Sequence, residues 1–119
     1  HPDRPARVPY VTQILADAPF PVVATGDYMK SVPDQIARWV PGGLRPLGTD
    51  GFGRSEARAE LRDYFEIDAR YTALAALQEL ARIGKFDRTK LADAVKGLGV
   101  NPDKLDPIAP PKPETLHED

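Results

Sequence analysis

Two short apolar runs, Pro-Val-Val-Ala-Thr at residues 21–25 and Leu-Arg-Pro-Leu at residues 44–47, constrain this chain more than any other feature. Each ends at a glycine and each is followed by a helical pattern. A short, partly β-branched run between turn signals reads as a strand buried on both faces, and two such strands joined through a helix run parallel. Strand, helix and strand then form one right-handed unit. Two parallel strands are too few for a stable sheet, because buried strands need neighbours on their hydrogen-bonding edges and helices over both faces. The expected fold is therefore an α/β layer that lacks some of its strands, with an open edge for another chain or segment.

Around these strands the helical signals fall in order. Val8, Val11, Ile14 and Leu15 are spaced for a short first helix, in which Pro9 is tolerated only in the first turn and which Pro19 and Pro21 bound. After the first strand Tyr28, Val32, Ile36 and Val40 recur every four residues, with Met29 and Trp39 widening the stripe. Asp27 is a candidate cap for this helix, but Pro33 would then bend it; with Ser31 as cap and Asp34 three residues on, Pro33 sits in the first turn. A loose first turn and then helix to about Trp39 is expected, stopped by Pro41, Gly42 and Gly43.

Beyond Ser55, Leu61, Tyr64 and Phe65 share one face, while Glu56, Arg58, Glu60, Arg62 and Asp63 alternate in charge on a solvated one. Asp68 is placed to cap the clearest helix, residues 69–83, whose apolar stripe is Leu74, Leu77, Leu80 and Ala81 and whose left-handed stop is Gly84. Asp87 caps a last helix to about Lys96, burying Leu91, Ala94, Val95 and Leu98 before Gly97, Gly99 and Pro102 end it. Residues 1–100 thus read as one globular piece. Residues 101–119, with five prolines and scattered charges, read as an extended tail.

The second strand delivers the chain into Gly48-Thr49-Asp50-Gly51-Phe52-Gly53-Arg54-Ser55. Gly51 and Gly53 permit backbone conformations closed to other residues, and Ser55 precedes a helical pattern as an N-cap does. Gly48, Gly53, Arg54 and Ser55 spell G-x-x-x-x-G-R-S, one substitution from the phosphate-cradling G-x-x-x-x-G-K-[ST]. The substitution matters, since a planar guanidinium does not occupy the space of a compact ammonium on a flexible stem. A tight turn whose amides and Ser55 hydroxyl satisfy a helix start is the simpler account.

Chemistry is constrained by what is missing. The only histidines, His1 and His117, lie in proline-rich terminal segments, and no nucleophile, base and acid can be assembled; no catalytic residue is assigned. Asp27 and Asp50 follow the carboxyl ends of the strands, where open parallel sheets place function, so they are the carboxylate candidates, with capping and turn closure as their simpler roles. No acidic spacing reads as a metal cluster. Trp39 with Tyr28 and Met29 reads as core or interface, since no basic stripe accompanies them. Sixteen basic against eighteen acidic side chains give a net charge of −2, which draws the chain neither to nucleic acid nor to an anionic membrane. Cysteine is absent, excluding disulfides and thiolate chemistry. No apolar run approaches the roughly 18 residues of a membrane span, and nothing resembles a signal peptide, so a cytoplasmic protein is expected.

The core G-x-D-x-F-G-x-S resembles a motif near the end of transketolase-type thiamine diphosphate enzymes. The longer form L-G-T-D-G-F-G-R-S is similar to that of their homodimeric bacterial pyruvate dehydrogenase branch. Arg7-Val8-Pro9-Tyr10, Gly26-Asp27-Tyr28-Met29-Lys30 and Tyr64-Phe65-Glu66-Ile67-Asp68 agree with that branch in the same order, and the Asp-Tyr-Met-Lys block separates it from a generic transketolase. The resemblance implies a three-layer αβα transketolase C-terminal-like domain with a mostly parallel sheet, of which this chain is the latter part, its first strands lying before His1. It implies a parent that decarboxylates pyruvate on thiamine diphosphate with magnesium and passes the two-carbon unit to lipoyl groups of the dihydrolipoamide acetyltransferase component. The family's G-D-G and N-N motif for the diphosphate and metal is absent here, so no cofactor is expected on this chain. The segment's expected roles are structural: support of the active-site domains and the homodimer interface.

Two other classes compete with this reading. One is an independent anion or nucleotide module at residues 48–55, using a helix start and Arg54. The other is an interaction module that docks a partner helix on the apolar residues of 69–83. For the parent, a transketolase or another 2-oxo acid dehydrogenase is the alternative.

Overall fold

The structure, a computed structural model, describes residues 1–18, 20–51, 55 and 57–108. Strands β1 (Val22–Thr25) and β2 (Leu44–Leu47) pair in parallel, Val22 opposite Leu44 and Thr25 opposite Leu47. Among the described residues the sheet has these two strands alone, so the class is α/β with an incomplete parallel sheet. Alternation puts Val23, Thr25, Arg45 and Leu47 on one face and Val22, Ala24, Leu44 and Pro46 on the other. The Thr25 and Thr72 hydroxyls meet at 3.1 Å, which turns the first of these faces toward the long helix.

That long helix is α4 in chain order, after α1 (Tyr10–Leu15), α2 (Ser31–Asp34) and α3 (Arg58–Tyr64). Helix α4 (Ala69–Arg82) packs across both strands, and α5 (Leu91–Gly97) packs on α4. Its start is set by Asp68, whose carboxylate accepts from the Arg70 amide at 3.0 Å and the Tyr71 amide at 3.2 Å. Gly84, at φ +77°, stops it as expected. Asp87 caps as expected too, accepting from the Thr89 amide at 3.0 Å, although a 3-10 turn (Arg88–Lys90) intervenes before α5. Around the Asp68 cap the Arg70 guanidinium binds the Asp68 carboxylate at 2.7 Å, the Asp63 carboxylate on α3 and the Gly99 carbonyl beyond α5 at 3.2 Å. One side chain thereby ties the ends of three helices.

The single helix expected up to Trp39 is instead two pieces, α2 and a 3-10 turn (Ala37–Trp39). Pro33 lies in the first turn of α2, where its missing amide removes no helical bond, and beyond it Gln35, Ile36, Trp39 and Val40 bond three residues back, to Val32, Pro33, Ile36 and Ala37. The cap is also displaced: Lys30, not Ser31, is the N-cap, and the Asp27 side chain caps nothing, lying 3.9 Å from Arg62. Pro9 is the N-cap of α1. Pro19 and Glu56, given roles above, lie outside the described residues.

Among the described residues the buried apolar side chains are Val40, Ile67, Tyr71 and Ala75. The stripe expected on α4 is half-buried, and it is Tyr71 and Ala75, one turn apart beside it, that face inward fully. Of the stripe at 28–40, Val40 alone is buried, whereas Tyr28 remains 66% exposed and Val32 48%.

Burial pushes the Asp68 carboxyl up, but the bonds from the Arg70 guanidinium and the Tyr71 amide outweigh it and hold the group below the ordinary carboxylate value. A depressed native value contributes stability that is complete above the unfolded pKa, about 3.9, and is lost as the pH falls through the lower native one. Asp68→Ala should therefore cost about 1 kcal/mol at neutral pH and flatten the acid limb below about pH 4. Urea denaturation at pH 7 and pH 3 measures both effects; an unchanged midpoint at pH 7 would show that the cap contributes nothing.

Candidate functional site

Both strands end at the same edge of the sheet, and the loops that leave them lie backbone against backbone. The Gly26 amide donates to the Leu47 carbonyl at 3.1 Å, the Thr49 amide to the Tyr28 carbonyl at 2.9 Å and the Thr49 hydroxyl to the Asp27 carbonyl at 3.2 Å. Gly48 makes this possible. A Cβ there would overlap the Tyr28 carbonyl oxygen and stand 3.0 Å from the Lys30 nitrogen, so only glycine fits between the loops. Gly51, at φ +83°, supplies the left-handed turn that follows.

Asp50 closes the arrangement. Its Oδ1 accepts from the Lys30 amide at 2.9 Å and its Oδ2 lies 3.5 Å from the Lys30 ammonium. The carboxylate thus serves turn closure and caps the start of α2, the simpler of its two expected roles. Asp27 is exposed and points away toward Arg62. Between the loops lies an open cleft of about 490 Å³ lined by Met29, Lys30, Ser31, Asp34, Thr49, Asp50 and Gly51. In the sequence Ser31 and Asp34 were assigned only a capping arrangement, and Lys30 and Thr49 only places in the family blocks. Their signal is positional, since both loops follow parallel strands at the edge where such sheets place function.

Phe52, Gly53 and Arg54 lie outside the described residues, as does His117. Ser55 is exposed and does not cap α3: that helix begins at Arg58 with Ala57, extended at ψ 148°, as its N-cap and no side-chain cap bond. His1 is exposed at the opposite end of the chain. A second cleft, about 190 Å³, is lined by Arg45, Arg82 and Arg88 with Glu79. Arg82 there is held by Glu79 at 2.6 Å, and the site lies at the carboxyl end of α4, whose dipole opposes an anion.

The strand-end cleft does not fit thiamine diphosphate with magnesium. Asp34 and Asp50 line it and repel a diphosphate, while the Lys30 ammonium is already engaged by Asp50. Among the described residues no three acidic, histidine or cysteine side chains gather as a metal site. What the geometry can do is hold two loops together at the edge of a parallel sheet.

The fold is an α/β layer with a two-strand parallel sheet, its strand-end loops joined at Gly48 and Asp50. Residues 4–68 match the transketolase-like TK C-terminal domain, and the chain belongs to that family. Over 109 residues it is 50% identical to the pyruvate dehydrogenase E1 component of Haemophilus influenzae, covering 91% of this chain and 12% of that protein. It is 47% identical over 108 residues to the Escherichia coli K12 protein of the same name, covering 90% and 12%. Against the Mycobacterium tuberculosis counterpart the identity is 53% over 87 residues, 73% of this chain and 9% of that protein. The chain therefore spans about 12% of the length of the first two relatives.

Gly48→Ala forces backbone apart and should cost about 1–3 kcal/mol, with faster hydrogen exchange at the Thr49 amide. Asp50→Asn keeps an oxygen for the Lys30 amide and loses only a half-exposed ion pair, so its cost should stay below about 1 kcal/mol. Equal losses for the two substitutions in denaturant titrations would contradict this division of labour.

Proposed function

We propose that this chain is the C-terminal structural and dimerisation segment of a pyruvate dehydrogenase (acetyl-transferring) component, an oxidoreductase. The whole enzyme decarboxylates pyruvate with thiamine diphosphate and magnesium bound on other parts of the polypeptide. It then acetylates lipoyl groups of a dihydrolipoamide acetyltransferase partner. It works as a homodimer in the cytoplasm. The observation that carries this reading is identity near one half across nine-tenths of the chain to relatives of that name, in each of which the matched region is about one-eighth of the length.

Packing supports the structural role. Phe20, Tyr28, Met29, Val32, Ile36 and Trp39 stand between 39% and 66% exposed along one stretch of the chain. Half-exposed side chains of this size each leave roughly 1 kcal/mol of apolar burial unrealised, and both strands keep a free edge among the described residues. A surface of this kind is stable when other polypeptide covers it. The Asp34 and Asp50 carboxylates beside the engaged Lys30 support a cofactor site on other parts of the polypeptide.

Titrating thiamine diphosphate with magnesium into the isolated chain should leave its thermal midpoint unchanged. The longer polypeptide that contains it should bind the cofactor and release carbon dioxide from pyruvate. A cofactor-dependent rise in the midpoint of the isolated chain would refute the assignment of a purely structural role. A longer polypeptide without pyruvate decarboxylation would refute the assignment of the parent.

A further inference from the structure

Residues 98–108, which follow α5, do not leave the domain. Asn101 folds the chain by accepting the Asp103 amide on its side chain at 3.0 Å and the Lys104 amide on its carbonyl at 3.3 Å. Asp106 repeats the device, its side chain accepting from the Ile108 amide at 3.0 Å. Such Asx turns are local and encoded by the residue itself. Between the two turns Lys104, its side chain only 19% exposed, reaches the end of α3. Its ammonium donates to the Tyr64 carbonyl at 2.7 Å, lies 3.6 Å from the Glu66 carboxylate and stands 5.1 Å from the centre of the Tyr64 ring.

Two more contacts carry the segment on to the strand-end loops. The Tyr64 hydroxyl donates to the Pro107 carbonyl at 3.4 Å, and Ile108 lies against Gly51 so closely that a Cβ on Gly51 would be 3.1 Å from its Cγ2. Gly51 follows Asp50, which holds Lys30 and so the opposite wall of the cleft. The anchor point is itself unusual. Glu66 sits at φ +60°, the only non-glycine residue in the left-handed region among those described, and its side chain is the one that Lys104 engages. A strained residue persists where its surroundings over-determine it.

We propose that residues 104–108 are an intramolecular strap that fixes the turn at Asp50 and Gly51, and through it the shape of the cleft between the strand ends. Lys104 is the anchor and Ile108 is the contact with the loop. This rests on the geometry of the strap and is independent of the parent enzyme's reaction.

Hydrogen exchange resolved to single amides in the full chain tests it, with Lys104→Met and Ile108→Ala. The reporters are the Thr49 amide, bonded to Tyr28, and the Lys30 amide, bonded to Asp50; neither donates to the strap. Each variant should speed exchange at both reporters by about tenfold, the scale of one lost charge-assisted or close-packed contact, while amides around Ala75 in α4 keep their protection. Faster exchange at Lys104 and Ile108 with unchanged reporters would overturn the proposal, as would unprotected Lys104 and Ile108 amides in the unsubstituted chain. Should Lys104→Met lose protection throughout α4, Ile108→Ala decides alone, because it removes a contact with Gly51 and no anchor.

Discussion

The absence of a side chain at Gly48 is the condition on which the strand-end architecture depends. Parallel strands leave their carboxyl ends side by side, and the loops that follow must either diverge or lie against each other. Here they touch through backbone, the Thr49 amide on the Tyr28 carbonyl, because nothing projects from Gly48 into the gap. Everything placed at that edge follows from the contact. Asp50 reaches the Lys30 amide only because the loops are this close, and α2 starts where it does because that amide is satisfied from the other loop.

Against this well-determined edge the rest of the packing is thin. Of the described apolar residues only Val40, Ile67, Tyr71 and Ala75 are buried: Val40 before β2, Ile67 after α3, and Tyr71 and Ala75 on α4. Parallel sheets are stable when helices cover both faces. Here α4 covers one, and the helical residues before β2 keep their largest side chains in solvent. The polar interactions compensate locally rather than globally. Arg70 ties three helix ends together but is itself partly exposed, and exposed ion pairs of this kind contribute little unless they form a network.

Legibility in the sequence divides along the same line. Features governed by one residue and its near neighbours were readable: the Asp68 and Asp87 caps, the Gly84 stop, both strands and the turn role of Asp50. Features governed by competition or by distance were not. Apolar spacing at residues 28–40 promised one helix, yet a recurrence every four residues does not separate an α-helix from the three-residue hydrogen bonds made by Gln35, Ile36, Trp39 and Val40. Ser55 has the chemistry of a cap, but Ala57 is the extended N-cap and the helix starts at Arg58. Proline content marked residues 101–119 as an extended tail, and composition carries no trace of Lys104 finding a carbonyl forty residues earlier. The motif at 48–55 was visible as a glycine-rich turn, whereas the reason for its first glycine, a carbonyl from the preceding loop, is a tertiary fact.

The ends of the three longer helices show how such tertiary facts are written into local geometry. Helices α3, α4 and α5 all finish with the same pair of bonds, one spanning five residues and one spanning three: Ile67 to Arg62 with Glu66 to Asp63, Lys85 to Leu80 with Gly84 to Ala81, and Val100 to Val95 with Gly99 to Lys96. The left-handed residue is glycine in the second and third cases and Glu66 in the first, all at φ between +60° and +77°. Glycine costs nothing there, whereas an L-residue with a Cβ costs roughly 1–2 kcal/mol. The extra cost at α3 coincides with the one helix end whose left-handed residue is engaged by a distant cation, Lys104, and whose next residue, Ile67, is buried. A glycine at position 66 would ease the backbone and remove the carboxylate, which makes the strained glutamate the local trace of the returning tail.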